Sequence, residues 1–289
     1  MDAPFHLGCA VWGYKDWVGR FFPSGSRSGD LLRLYGQRLT AVEGNTTFYA
    51  QPRPEIVQRW AEETPESFRF CLKLPREVSH SDALARHLAE TQAFVELMQP
   101  LGPRLGPFFL QLPSSFAPDQ IDDLATWLDA WPTQQRIAVE VRHLGWFEPA
   151  NEGMLMALLD AYSAGRVIMD VRPLELAPLP NAEENPQQAR DNKPRVPMRP
   201  LVSGGFSMVR YIGHPTLDLN SQLIDEWAAR VAGWLADGVE TFFFMHCPIE
   251  TYSPELCRSF QQRLEGLAPV APLPWDQVPS GPEQLSMFD

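Results

Sequence analysis

Short apolar runs that end in a polar residue recur along the whole chain, and they limit its fold more than any other feature. Eight such runs can be read, and the last seven deliver Glu43 with Asn45, Lys73, Gln111, Glu140 with Arg142, Asp170 with Arg172, Arg210, and His246. Apolar runs of about 4–8 residues between helical stretches are the mark of parallel strands buried on both faces. A strand of that kind has no structural need to end in a charge. Seven that do point to one polar pocket assembled from many strand ends.

Strands are expected at His6–Trp12, Leu39–Asn45, Phe68–Lys73, Pro107–Leu112, Arg136–Arg142, Arg166–Arg172, Ser207–Ile212 and Glu240–His246. Helices are expected near Asp30–Arg38, from Pro54, and over Asp82–Met98, Pro118–Trp131, Glu152–Ser163, Ser221–Ala236 and Pro254–Leu264. This α/β alternation predicts a single-domain TIM-like (β/α)8 barrel over residues 1–265. An open doubly wound sheet is the runner-up, but Gly8-Cys-Ala-Val-Trp-Gly13 is not the glycine-rich phosphate loop that sheet would favour.

Two stretches break the rhythm. Residues 173–204, between strands six and seven, carry seven prolines and read as a lid-like or disordered insertion. Within them Arg190–Arg199 is the most basic segment of the chain, suited either to gripping an anionic substrate or to lying solvated on the surface. Residues 266–289 carry five prolines and are expected to form an extended tail outside the barrel.

The net charge of −12 argues against coating nucleic acid through bulk electrostatics, while leaving room for a local basic cleft. Cys9, Cys71, Cys247 and Cys257 are scattered without a CxxC pair and are expected to be small buried hydrophobes. The start, Met1-Asp-Ala-Pro-Phe-His6, has no charged n-region or long apolar h-region, and Thr241–Cys247 is too short to span a bilayer. A cytoplasmic protein with no membrane partner is expected.

Side chains two apart on a strand share a face, so Glu43 is expected to point with Asn45, Glu140 with Arg142, and Asp170 with Arg172. In barrels the carboxyl face hosts the site, where Glu43, Lys73, Gln111, Glu140, Asp170, Arg210 and His246 would converge. Glu43 and Glu140 are the acid–base candidates, with Lys73 and Asp170 completing the catalytic set. Lys73, Arg142 and Arg210 suit phosphate or carboxylate binding, supported by Asn45, Gln111 and His143. Glu140, Asp170 and His246 are candidate ligands for a divalent metal, which the spacing neither requires nor rules out. Trp12, Tyr49 and Trp146 sit in the same loops and would either stack on a ring of the substrate or cap the core. The competing reading of all these polar ends is an ion-paired plug that merely closes the barrel.

Five ordered segments carry a family resemblance: Gly8–Trp17 with Phe21-Phe-Pro23, Glu43–Tyr49, Phe70–Pro75, Gln111–Phe116 and Glu140–Trp146. On them the chain resembles the YecE-like family, also called domain of unknown function 72. The resemblance implies a TIM-like barrel and brings no established reaction. Two sites depart from the family's usual pattern: Met245-His-Cys247 stands where it often reads Phe-Asn-Asn, and Ala10-Val11 where a serine commonly precedes the tryptophan. No role for strand eight is carried over.

Separately, Gln284-Leu-Ser-Met-Phe288 resembles the QLSLF-type peptide by which bacterial DNA polymerases and repair proteins dock on the sliding clamp. Leu285, Met287 and Phe288 would fill a hydrophobic pocket, with Gln284 bonding at its rim. These readings favour a hydrolase or lyase acting on a phosphate-containing substrate, nucleic acid included, with the sliding clamp as partner. The alternatives are a small-molecule isomerase or aldolase-like enzyme, and a non-catalytic clamp-associated adaptor.

Overall fold

The eight apolar runs close into one parallel barrel. The computed structural model describes residues 4–179 and 195–278. Its strands are β1 (Phe5–Cys9), β2 (Ala41–Gly44), β3 (Arg69–Leu72), β4 (Phe108–Gln111), β5 (Ile137–Glu140), β6 (Gly165–Asp170), β7 (Phe206–Ile212) and β8 (Glu240–His246). They lie in the order β3-β2-β1-β8-β7-β6-β5-β4, every ladder parallel. Between β3 and β4 there is no continuous ladder. Two isolated bridges, Phe70 with Leu105 and Lys73 with Phe109, close the seam.

Alternation along the strands divides the interior in two. One set of residues fills the bore: Ala41, Cys71, Phe109, Ala138, Val167, Phe206, Met208, Phe242 and Phe244. Large rings face small residues there, so a narrow barrel packs solid rather than leaving a pore. The other set, including Leu7, Val42, Phe70, Leu110, Val139, Ile168, Val209 and Phe243, packs against the surrounding helices.

Those helices are α1 (Leu31–Gly36), α2 (Thr46–Tyr49), α3 (Pro54–Glu63), α4 (Arg76–Ser79), α5 (Leu88–Met98), α6 (Ile121–Asp129), α7 (Pro149–Ala161), α8 (Ser221–Ala236), α9 (Ser253–Glu265) and α10 (Pro274–Gln277). Local chemistry sets their starts and buried faces. Proline opens α3 at a position whose N–H needs no partner, and Val57, Trp60 and Ala61 form its buried stripe. Helix α8 buries Ile224, Trp227, Ala228, Val231 and Leu235 at helical spacing. Each such large side chain contributes about 1.5–3 kcal/mol on burial. All four cysteines are buried, as expected of small hydrophobes.

After β6 no α-helix follows among the described residues; a 3-10 turn, Arg172–Glu175, takes its place. The flanks of the expected insertion are seated on the barrel: Leu174, Leu179 and Val196 pack with Met169 and Ile212. Arg199 reaches Glu152 on α7 at 3.5 Å. Residues 180–194, with the first half of the basic segment, lie outside the described residues.

The tail expected to leave the barrel at residue 266 does not do so. Leu273 is buried in the main core, and Ala271 accepts a hydrogen bond from Gln261. Trp275 packs edge-on to Phe21 at 4.7 Å and lies 4.0 Å from the Arg258 guanidinium. Proline sets an extended backbone here, but Leu273 and Trp275 supply apolar area that holds it down. The chain reaches Val278 beside Leu39, Thr40 and Phe68, at the amino-terminal end of the strands. The peptide Gln284, Leu285, Met287, Phe288 lies outside the described residues. No helix among the described residues is long and apolar enough to cross a membrane.

Candidate functional site at the barrel mouth

Residues following the bore set, two positions further along each strand, emerge at the carboxyl end. Ala41 leads to Glu43, Cys71 to Lys73, Phe109 to Gln111, Ala138 to Glu140, Met208 to Arg210 and Phe244 to His246. The alternation that fills the barrel therefore also aims six polar side chains into its mouth.

Arg210 is the hub. Its Nε and Nη2 donate to Glu43 Oε2 and Oε1 at 2.8 and 2.9 Å, a bidentate fork, while Nη1 donates to Glu140 Oε2 at 2.7 Å. Glu43 Oε1 also accepts from Asn45 Nδ2 at 2.7 Å, and Oε2 lies 3.0 Å from His246 Nε2. Arg142 donates through Nε to Glu140 Oε1 and through Nη2 to Gln111 Oε1, both at 2.6 Å. Lys73 Nζ donates to the same Gln111 oxygen at 2.9 Å and stands 3.8 Å from the Phe48 ring centre. Residues from six strand ends thus form one continuous network.

Burial decides what each group can do. Glu43 and Glu140 are 0% and 1% exposed, which by itself would favour the neutral acid. Against that burial, Arg210 and His246 hold Glu43 well below the usual carboxylate range. Against the same burial effect, Arg142 and Arg210 hold Glu140 down to about 2. Both carboxylates are ionised counter-ions at neutral pH, with every oxygen accepting a hydrogen bond. The expectation that neighbouring charge would separate their pKa values into an acid and a base is corrected: the cations depress both. Lys73 is lowered too, to about 8, by burial and then by Arg210, which for an amine favours the neutral form. It is the group in the network poised to exchange a proton near neutrality.

Above the network opens a cavity of about 510 Å³, lined by Lys73, Arg142, Arg210, His246, Asn45 and Gln111, with Ala10 and Val11 as its apolar wall. Below the cavity, a Cβ on Gly8 would meet the Ala41 carbonyl oxygen at 1.9 Å, so glycine is what lets β1 lie this close to β2. Arg76, His80 and Glu250 complete the rim. Burial, then the nearby Lys73, Arg142 and Arg76, push the His80 imidazole down to about 4, so it is neutral.

Several expected site residues fall elsewhere. Asp170 faces outward, because Val167 and Met169 are the bore-side residues of β6. Its carboxylate accepts from Arg172 at 2.8 Å and from Trp227 Nε1 at 2.7 Å, and Arg172 continues to Glu226 on α8. Asp170 is a clasp between sheet and helix, outside the group of side chains gathered at the mouth. The trio Glu140, Asp170 and His246 therefore does not converge, and no cluster of three or more His, Cys, Asp or Glu fit for a metal occurs among the described residues. His143 accepts the Gly145 N–H at 3.0 Å and caps the turn after β5. Trp146 is fully buried, stacks on Phe116 and donates to its carbonyl, and half-buried Trp12 packs edge-on to Trp60 and Phe70. These three support loops; of the expected aromatics only Tyr49 reaches the cavity. Sequence reasoning missed Arg76 and His80, which open and follow α4 beyond the end of β3 with nothing local to mark them.

Removal of the Asp170 charge should accordingly weaken the fold and spare the mouth. Asp170→Asn is expected to cost about 1.5–3 kcal/mol in urea unfolding, the range for hydrogen bonds to a buried charge. Inorganic phosphate affinity should be unchanged; a loss of that affinity in a fully folded variant would place Asp170 back in the site.

The profile of the family described as "Protein of unknown function DUF72" matches residues 6–278. The chain is similar to the UPF0759 protein YecE of Escherichia coli K12, 34% identical over 285 residues, which cover 98% of this chain and 99% of the relative. Among solved structures it resembles a DUF72 family protein from Enterococcus faecalis V583, with a TM-score of 0.67, 20% identity and 91% and 98% of the two chains covered. A DUF72 family protein from Thermotoga maritima MSB8 superposes with a TM-score of 0.64 and 18% identity, covering 91% of this chain and 99% of that one.

Proposed function

Since this chain belongs to the DUF72 family of proteins of unknown function, its chemistry has to be read from its own barrel mouth, and we propose that the mouth binds a phosphate-containing substrate on which Lys73 moves a proton. One observation carries this reading: both buried carboxylates are consumed by arginine, while Lys73 and Arg142 line the open cavity above them. The network holds Lys73, Arg142 and Arg210 against Glu43 and Glu140, an excess of positive charge that a bound anion would balance. A plug built only for closure would leave neither a surplus of cations nor a cavity over them.

Hydrolase and lyase chemistry each need a base, and Glu43 and Glu140 are too acidic and too fully hydrogen-bonded to serve, which leaves that role to Lys73. Lys73 at about 8 can take a proton from a carbon or oxygen of the substrate while Arg142 holds the phosphate. Calorimetric titration with inorganic phosphate tests the binding half. Saturable binding is expected, weakened about tenfold or more in Arg142→Met, as for loss of one charge-assisted hydrogen bond. If phosphate does not bind, the proposal falls.

The partner reading rests on the peptide Gln284–Phe288, and we propose that it docks on the DNA polymerase sliding clamp. The last described residues, Gln277 and Val278, lie at the amino-terminal end of the barrel, opposite the mouth. Deleting residues 283–289 should abolish binding to immobilised clamp and leave phosphate binding intact. Clamp binding that survives the deletion would refute the assignment.

A further inference from the structure

A second cavity, of about 610 Å³, adjoins the first and shares Phe48, Tyr49, Arg76 and His80 with it. Ala50 and Pro75 extend its wall. The two chambers differ in character. The inner one is floored by Lys73, Arg142 and Arg210; the outer one sets the rings of Phe48, Tyr49 and neutral His80 beside the polar side chains of Gln51, Arg76 and Glu77.

Tyr49 is the unusual residue here. It is 80% exposed, although it ends a helix whose neighbours Thr47 and Phe48 are buried. Its ring is nonetheless held: Phe48 packs edge-on against it at 5.0 Å and against His80 at 5.1 Å. Helix α2 is pinned in turn, because Thr47 Oγ1 lies 2.6 Å from the Lys73 carbonyl oxygen and 3.0 Å from that of Gly44. A fixed aromatic face open to solvent, one ring away from a buried cation, is pre-organised for stacking.

Resting on the phosphate reading of the inner chamber, we infer that the outer chamber is a ring-binding subsite and that the ligand is a phosphomonoester carrying a flat ring on a short spacer, as in a nucleoside monophosphate. Lys73 Nζ lies 3.8 Å from the centre of Phe48, and that ring 5.0 Å from Tyr49, so phosphate and ring positions are separated by a span a ribose can bridge. Arg76 stands on the wall common to both chambers, where it can contact phosphate or lie against the ring.

Titration of the full chain with inorganic phosphate, ribose 5-phosphate and adenosine 5′-monophosphate separates the two layers of this argument. The nucleotide is expected to bind about tenfold tighter than ribose 5-phosphate, the increment of one base–aromatic stack. Tyr49→Ala should collapse that ratio towards one, and Tyr49→Phe should preserve it; because Tyr49 is exposed, the alanine variant should fold. Equal affinity for nucleotide and sugar phosphate in the wild type, with inorganic phosphate still binding, would overturn the ring subsite and leave the phosphate reading standing. Tight nucleotide binding unaffected by Tyr49→Ala would also overturn it. Failure of all three ligands to bind would remove the phosphate reading and this inference with it.

Discussion

Arg210→Met is expected to destabilise the barrel by about 3–5 kcal/mol, the cost of removing one partner from a buried ion pair. The reason lies in what stays behind. Glu43 and Glu140 would remain in the bore without the guanidinium that contacts three of their four oxygens. Urea unfolding at pH 7 measures the loss, and its pH dependence identifies the cause. In the wild type both carboxylates titrate in the folded state well below their unfolded value of about 4.3. The unfolded chain therefore binds more protons as pH falls through that value, and the stability they contribute drains away towards pH about 2, where Glu140 titrates. Without Arg210 the buried acids should protonate at higher pH, so the deficit of the variant should shrink on acidification. A deficit constant from pH 7 to pH 3 would mean that packing, not charge, was lost. Adding Glu43→Gln and Glu140→Gln to Arg210→Met should recover part of the stability, since neutral groups cost less to bury.

The second large effect concerns Lys73. Its amine should titrate near 8 in the folded protein, against about 10.4 for an ordinary lysine. At pH 8 about half of it is then deprotonated, whereas the deprotonated fraction of an ordinary lysine is about 125-fold smaller. The chain holds only three lysines, Lys15, Lys73 and Lys193, so competitive labelling with fluorodinitrobenzene can follow each by peptide mass. The labelling midpoint of Lys73 should lie near 8 and rise when inorganic phosphate is present, because an anion beside the ammonium favours the proton. A midpoint above 10 would remove Lys73 as the proton-transfer group. Lys73→Met should reduce turnover of a phosphate-bearing substrate by about 10²–10⁴-fold, the usual contribution of a general base, and the wild-type rate should climb as pH rises through about 8. The same shift acts on folding. Between about 8 and 10.4 the unfolded chain holds a proton that the folded chain has released, so this residue's contribution to stability improves as pH rises across that interval.

The barrel was legible because apolar runs and helical stretches alternate without a glycine-rich loop or a second periodicity to compete. Most of the mouth was legible for a related reason: in β4, β5 and β8 the polar terminal residue lies two positions beyond a bore residue, so strand ends and facing coincide. Strand β6 shows where this fails. Val167, Ile168 and Met169 are all apolar, as expected of a strand buried on both sides, and the run does not say which face Asp170 takes. A shift of one residue reverses every side chain, and here it put the aspartate against Trp227. The tail misled differently. Its prolines describe backbone shape, whereas the contacts of Leu273 and Trp275 depend on a surface formed by residues far away in the chain.

The seam between β3 and β4 has a kinetic meaning. With two bridges in place of a ladder, it is where the barrel should part first in local unfolding, ahead of the long β7–β8 ladder on the far wall. Lys73 stands on one lip of that seam and Gln111 on the other, joined by a single side-chain hydrogen bond. An anion bridging Lys73 and Arg142 would add a clasp across the opening, so occupancy of the mouth and closure of the seam would reinforce each other. The residues that would recognise the ligand are then also the stitches that keep the wall from breathing.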